Sequence, residues 1–263
     1  MHFLQKERYH MNDLVDIVSL LRSENGCPWD KEQTHTSMRQ NFIEEVYEVV
    51  EAIDAHDPDM LREELGDVLL QVVMHSQMES EKNVFTVDDV ANDICVKLIE
   101  RHPHVFGSTE VSSTADALDN WEAIKQEQKN MKQGYETLEA VPVVLPALMR
   151  AQKVGKRAGK LGFSYKDTAS AMVDLESELL ELKEAIDIGD KENIAEELGD
   201  LLFSCANIAR FVGEDSEKCL SFSTDKFISR VKDVELLAQT EGLNLKDLDD
   251  EKRDEFWNII KNK

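Results

Sequence analysis

Two stretches of this chain repeat one another at a fixed spacing. Residues 51–70 read EAIDAHDPDMLREELGDVLL and residues 184–203 read EAIDIGDKENIAEELGDLLF; eleven of the twenty positions are identical, without a gap, at an offset of 133. Chance does not produce that match in helical sequence, so the chain is read as two tandem versions of one unit, the product of an internal duplication. A length of 263 residues agrees with this, because a domain takes on the order of 150 residues.

The repeated unit is helical. Apolar residues recur every three or four positions: Leu14, Ile17, Val18 and Leu21 form one stripe, capped by Asn12 and closed by Asn25-Gly26. Met38, Phe42, Val46, Val49, Val50 and Ile53 form a second. Asp57-Pro58 opens a third helix, with Asp as cap and Pro in the first turn, and this helix is expected to bury Leu61, Leu65, Val68, Leu69 and Val72. Thr86-x-x-Asp89 resembles a capping box ahead of Val90, Ile94 and Leu98. Clean period-two alternation is nearly absent, and Gly (11) and Pro (5) are scarce. The predicted fold class is therefore all-α. The divide between the repeats is expected between Thr137 and Gly162, where Pro142, Pro146, Gly155, Gly159 and Gly162 gather.

Charge narrows the function. With 54 Asp and Glu against 30 Lys and Arg, the formal net charge is -24. Such a chain repels phosphate backbones and anionic lipid, which argues against nucleic acid and membranes as partners, and it suits divalent cations. No apolar run approaches the roughly 18 residues of a membrane span, and the charged stretch from Met1 to His10 lacks a signal core. Cys27, Cys95, Cys205 and Cys219 form no C-x-x-C pair; Cys95 and Cys205 fall in apolar helical stretches and read as small buried thiols. The expectation is a reduced, cytoplasmic protein.

The repeat carries acids in register. At the same offset Glu45 maps to Glu178, Glu48 to Glu181, Glu64 to Glu197 and Asp67 to Asp200. Each repeat thus has E-x-x-E on one helix and E-x-x-D on the next. Residues three apart share a helix face, and the short connections at 55–58 and 188–191 make the two helices antiparallel neighbours. Four converging carboxylates repel unless protonated or bound to a cation. A single E-x-x-E in so acidic a chain is ordinarily a solvated face. The quartet differs because it recurs within apolar stretches such as FIEEVYEVV, where solvation gives no reason for acids. A divalent ion is the natural resolution. All seven histidines lie at or before His104, so the second repeat offers oxygen ligands only, which selects Mg²⁺, or alternatively Mn²⁺, over zinc or a Glu/His di-iron centre. Mg²⁺ completes its shell with water and substrate phosphates.

Cations follow each quartet. Lys97 and Arg101, then Lys226 and Arg230, stand four apart; so do Trp121 and Lys125, then Trp257 and Lys261. Such pairs share a helix face and suit phosphate oxygens and a stacked base. Each pair taken alone reads equally well as surface cations beside a Trp that anchors a terminal helix. Arg150, Lys153, Lys156, Arg157 and Lys160 make the one basic cluster, read either as a phosphate-side surface or as an exposed linker helix.

GCPWDKEQT at 26–34, the repeated EELGD, RHPHVF at 101–106 and LPALMRAQ at 145–152 resemble the two-domain MazG proteins, nucleoside triphosphate pyrophosphohydrolases of the all-α NTP pyrophosphatase superfamily, over nearly the whole chain. The resemblance implies two MazG-like domains, 1–140 with a connecting helix to about 160 and then 161–263, with a four-helix-bundle-like core completed by homodimerisation. It implies Mg²⁺ on Glu178, Glu181, Glu197 and Asp200 in the second repeat, with Glu45, Glu48, Glu64 and Asp67 the counterparts in the first. It further implies nucleotide contacts from Lys226, Arg230, Trp257 and Lys125, and a pocket lined by Asp174, Leu175, Glu176, Ser177 and Glu178 and by Asn193, Ile194, Ala195 and Glu196. The family hallmark EE-x-x-E is complete at Glu44, Glu45 and Glu48, whereas the second repeat has Ser177 in place of the first Glu. Asn193 stands where a Lys is expected, with Lys191 two residues away. The working repeat stays open, with the second preferred on family grounds.

The reaction implied is water attack on the α-phosphorus of an NTP, with Glu197 and Asp200 at the metal, Glu196 (Glu63 in the first repeat) as candidate base, and Lys226 and Arg230 neutralising the leaving pyrophosphate. Three rivals stand beside it. A non-catalytic sensor would bind nucleotide or alarmone without hydrolysis. A di-iron bundle has Glu7-x-x-His10 and Glu32-x-x-His35 in its favour, but both precede the repeat. A structural helical adaptor explains the apolar stripes and leaves the acids unexplained.

Overall fold

The computed structural model describes residues 5–128 and 134–262, and among them helices are the only regular structure. The chain divides into two compact units, 1–125 and 126–263. The first holds α1 (Met11–Arg22), α2 (Pro28–Glu32), α3 (Arg39–Asp54), α4 (Pro58–Ser80), α5 (Val87–Arg101), α6 (Pro103–Phe106) and most of α7 (Thr114–Gln128). The second holds α8 (Glu136–Glu139), α9 (Ala147–Lys160), α10 (Thr168–Ile188), α11 (Lys191–Val212), α12 (Ser216–Thr240), a 3₁₀ turn (Leu245–Asp247) and α13 (Asp250–Lys261). The division falls before the stretch 126–160, which the sequence reading assigned to the first domain and its connecting helix. The packing places α9 with the second unit. It lies along α11, where a Cβ on Gly155 would stand 2.3 Å from Asn207 Oδ1, so a larger residue there would have to displace the Asn207 amide.

The two hairpins α3–α4 and α10–α11 are the centre of their units. Their turns are built alike. Asp57 Oδ1 accepts from the amides of Asp59 (3.0 Å) and Met60 (3.1 Å), and Asp190 Oδ1 accepts from those of Glu192 (3.1 Å) and Asn193 (3.3 Å). Each cap satisfies N–H groups that have no partner inside the helix. One residue earlier the chain must turn left-handed: Gly189 has φ 79°, and His56, at the equivalent place, has φ 54°. The Thr86–Asp89 capping box forms as expected, with Asp89 in the place that Glu more often takes. The first helix begins differently. His10 is its N-cap, with its amide bonded to Asp13 (2.9 Å), so Asn12 lies inside the helix, which ends at Arg22.

Two apolar clusters hold the units. Val18, Met38, Val73, Met74 and Met78 are buried together in the first; Val234, Ala238, Leu248 and Phe256 in the second. The burial expected for α4 is displaced toward its C-terminal half. Leu65 and Leu69 are exposed, Leu61, Val68 and Val72 half-buried, and the enclosed residues are Gln71, Val73, Met74, Ser76 and Met78. Val46, Val50 and Ile53 of the second stripe are likewise exposed, because the hairpin's far face has no covering element within its unit. The same holds for the thiols: Cys95 and Cys205 are exposed rather than buried, and all four cysteines are free. No helix among the described residues is long and apolar enough to cross a membrane.

Candidate functional site

Each hairpin gathers its acids. In the first unit, oxygens of Glu45 and Glu48 on α3 and Glu64 on α4 lie within 4.8 Å of one another; in the second, so do oxygens of Glu178 on α10 and of Glu197 and Asp200 on α11. Asp67 and Glu181 complete the quartets electrostatically. Asp67 presses on Glu45 and Glu64, and Glu181 on Glu178 and Glu197. The carboxyls of Glu45, Glu64, Glu178 and Glu197 are all pushed above their ordinary range, first by burial and then by these like charges. The geometry is that of groups that repel when ionised and are held together by the turn behind them. A hard divalent cation, which takes carboxylate oxygens from several residues, fits this donor set.

The surroundings of the two clusters differ. In the second, Asp174 stands one turn before Glu178 and its Oδ2 accepts from Tyr165 Oη (2.5 Å) and Ser204 Oγ (2.7 Å). Burial and that carboxylate push the Tyr165 hydroxyl up to about 12. At the equivalent places the first unit has Asn41 and Gln71, and Gln71 tempers the upward shift of the Glu45 carboxyl. Ser177, which replaces a hallmark Glu, donates to Glu181 Oε1 at 2.9 Å, while Gln40 bonds Glu44 in the first unit. Ser204 and Gln71 are recoverable from the repeat as the divergent pair immediately after the matched segments. Tyr165 had no such signal, since it lies in the loop before α10 and maps to Glu32.

Leu175, Glu176 and Ser177 follow Asp174 along α10, and Asn193, Ile194, Ala195 and Glu196 occupy the first turns of α11; Glu176, Ser177, Ala195 and Glu196 are exposed, the others half-buried. Glu196 adds its charge to Glu197, as Glu63 does to Glu64. The cation and Trp groups assemble as well. Arg230 lies 6.0 Å from the Trp257 ring, which meets Phe227 at 5.6 Å. In the first unit Arg101 and Lys125 stand 5.4 and 4.6 Å from the Trp121 ring. Lys226 is exposed on α12. Arg157 of the basic helix donates to the Thr137 carbonyl, so that helix is a packed element rather than a free linker.

Fold and acids together define a tandem all-α protein with one carboxylate hairpin in each repeat. The chain belongs to the MazG family: the MazG nucleotide pyrophosphohydrolase domain matches it twice, over residues 33–106 and 166–235. It is 45% identical to the nucleoside triphosphate pyrophosphohydrolase/pyrophosphatase MazG of Thermotoga maritima, over 95% of this chain and 94% of that protein. It is 40% identical to the nucleoside triphosphate pyrophosphohydrolase of Escherichia coli K12, over 94% and 95%. A further relative is the uncharacterized protein YabN of Bacillus subtilis, 42% identical over 98% of this chain and 53% of that protein.

Proposed function

We propose that the chain hydrolyses a nucleoside triphosphate, ribo or deoxy, to the monophosphate and pyrophosphate, using Mg²⁺ and a water that attacks the α-phosphorus. The observation that carries this reading is the convergence, within 4.8 Å, of acids from two helices in each repeat of a chain of this family. Glu178, Glu181, Glu197 and Asp200 would hold the ion in the second repeat, and Glu45, Glu48, Glu64 and Asp67 in the first. When bound, Mg²⁺ supplies positive charge for phosphate oxygens and lowers the pKa of a coordinated water; Mn²⁺ would serve the same oxygen ligands.

The remaining roles belong to the chain's own groups. Glu196, exposed beside Glu197, would take the proton from the attacking water. Lys226 and Arg230 meet the charge that develops on the leaving pyrophosphate. Trp257, already in contact with Phe227 and Arg230, offers its ring to the base. Asp174 to Glu178 and Asn193 to Glu196 form the walls. Lys125 belongs to the first repeat and would serve a nucleotide there. The second repeat is preferred on family grounds. The working chain is read as a cytoplasmic homodimer, supported by the uncovered apolar residues of the hairpins, among them Leu180, Leu198, Leu202 and Phe203.

Chromatography of reaction products in Mg²⁺ tests the reaction. Monophosphate and pyrophosphate are expected; diphosphate and orthophosphate would overturn the reaction class, and binding without turnover would favour the nucleotide or alarmone sensor. E197A/D200A should abolish turnover, and loss only in E64A/D67A would move the site to the first repeat.

A further inference from the structure

The first unit contains a cleft that has no part in the carboxylate hairpin. It lies between α1, the C-terminal half of α4 and the start of α5, and encloses about 460 Å³, within the size range of small-molecule sites. Its floor is apolar, formed by Val15, Val73 and Val87. Asp16 and Asp88 stand on its rim, and neither forms an ion pair among the described residues. The nearby ammonium of Lys6 is bonded to Asp13 and also feels the charge of Asp16. Asn12 and Ser80 add polar atoms whose side chains make no hydrogen bond among the described residues.

In the corresponding region of the second unit the ties come from α9. There α9 precedes the hairpin as α1 does in the first unit, and it likewise packs on the second hairpin helix. Gln152 of α9 donates to the Glu214 carbonyl (2.6 Å) and accepts from the Ser216 amide (3.0 Å) and hydroxyl (2.9 Å), while the Met149 amide donates to Glu217 (3.2 Å). These bonds tie α9 to the α11–α12 connection. In the first unit Arg22 of α1 is bonded to Glu81 at the α4–α5 connection (2.7 and 2.9 Å), while no hydrogen bond joins α1 to α5 among the described residues. Both repeats are thus tied at this connection, and in the first a polar-rimmed, acidic cleft lies beside the tie.

We propose that this cleft is a second ligand site, taking a small aliphatic diamine whose ammonium groups meet Asp16 and Asp88 and whose methylenes lie on the valine floor. An ammonium carries three donors and no acceptor, which matches a rim of carboxylate, amide and hydroxyl oxygens. Charge alone draws cations to a chain of net charge -24, so the test must separate this cleft from the general field.

Methyl NMR of the full chain, with Mg²⁺ in excess to fill the hairpins, provides that separation, using 1,4-diaminobutane as probe and 1,4-butanediol as its neutral counterpart. The diamine should shift the methyls of Val15, Val73 and Val87 saturably, the diol should leave them in place, and D16N/D88N should weaken the apparent affinity at least tenfold. Equal shifts with the diol, shifts that never saturate, or an unchanged affinity in the variant would each overturn the proposal. Should the variant fail to fold, the comparison of diamine with diol on the unaltered chain decides alone.

Discussion

Phe256 is fully enclosed between α12, the 3₁₀ turn and α13, touching Val234, Ala238 and Leu248, with Leu237, Leu245 and Ile260 around them. F256A removes the largest fully buried side chain among the described residues. Phe-to-Ala changes of this kind cost about 3–5 kcal/mol, the sum of lost transfer energy and an unfilled cavity. The Lys252 ammonium, 4.6 Å over the ring, loses its cation–π partner as well. For a unit of this size the total corresponds to a fall in Tm of roughly 10 °C. F256L keeps most of the volume and should cost about 1 kcal/mol. Trp257 is the one tryptophan of the second unit, so urea unfolding followed by fluorescence in a W29F/W121F background reads the event locally. The adjacent Trp257 would lose its fixed approach to Arg230, and under the proposed function KM should rise before kcat falls. An F256A midpoint within ~0.5 kcal/mol of the unaltered chain at constant m would refute the assignment of this cluster as the core that seats α13.

The acid clusters make a pH-dependent prediction. Glu45 and Glu178 have raised carboxyl pKa values in the folded chain, so they contribute no penalty below the unfolded value near about 4.3 and a growing one as pH rises through the folded value. Metal-free stability should therefore fall as pH rises from the unfolded carboxylate value through the raised folded one, and Mg²⁺, competing with those protons, should raise Tm more at pH 7 than at pH 5, with a gain of about 2.7 kcal/mol at a hundredfold excess over Kd. An equal gain at both pH values, measured by calorimetry, would dismiss the linkage. The hairpin turns give a reciprocal pair: G189A places a Cβ at φ 79° and should cost about 1 kcal/mol, whereas H56G relieves φ 54° and should stabilise by up to about 1 kcal/mol. Like signs in thermal unfolding would show that backbone conformation is not what those positions share.

The hairpins, their caps and the register of the acids were legible in the sequence because each rests on local physics. Asp57 and Thr86 cap the helices they precede, and residues three apart share a face. What periodicity does not record is the element that covers an apolar face. Val46, Val50, Ile53, Leu65 and Leu69 carry a helical stripe as clear as that of Val18, yet they stay 39–51% exposed, because no other helix of the unit reaches that side. Cys95 and Cys205 were misplaced for the same reason. His10 was missed as a cap because imidazole is uncommon there, and the carboxyl of Asp13 forms the visible bond. Within the site, Tyr165 was unreadable, since a loop residue has no register relative to the helix acid it meets. The glycines of α9 were read as a boundary, but Gly155 serves close helix packing, a role that composition cannot distinguish from a break.

Acids and exposed apolar residues share the hairpins, and the two features constrain each other. Covering the apolar residues with a partner chain, as the proposed homodimer requires, would take further water from carboxyls whose pKa values burial has already raised. Without a cation that desolvation opposes pairing; with one, the acids are neutralised and the opposition disappears. Self-association and Mg²⁺ binding are therefore linked, and by thermodynamic reciprocity each strengthens the other by the same factor. Sedimentation velocity across a concentration series should show a tighter dimer in Mg²⁺ than in EDTA, and the difference should vanish in E45Q/E178Q, where the repulsion is partly removed at its source. A dimer of equal affinity in both buffers would mean that the apolar face and the acids are independent, and that whatever covers the one does not desolvate the other.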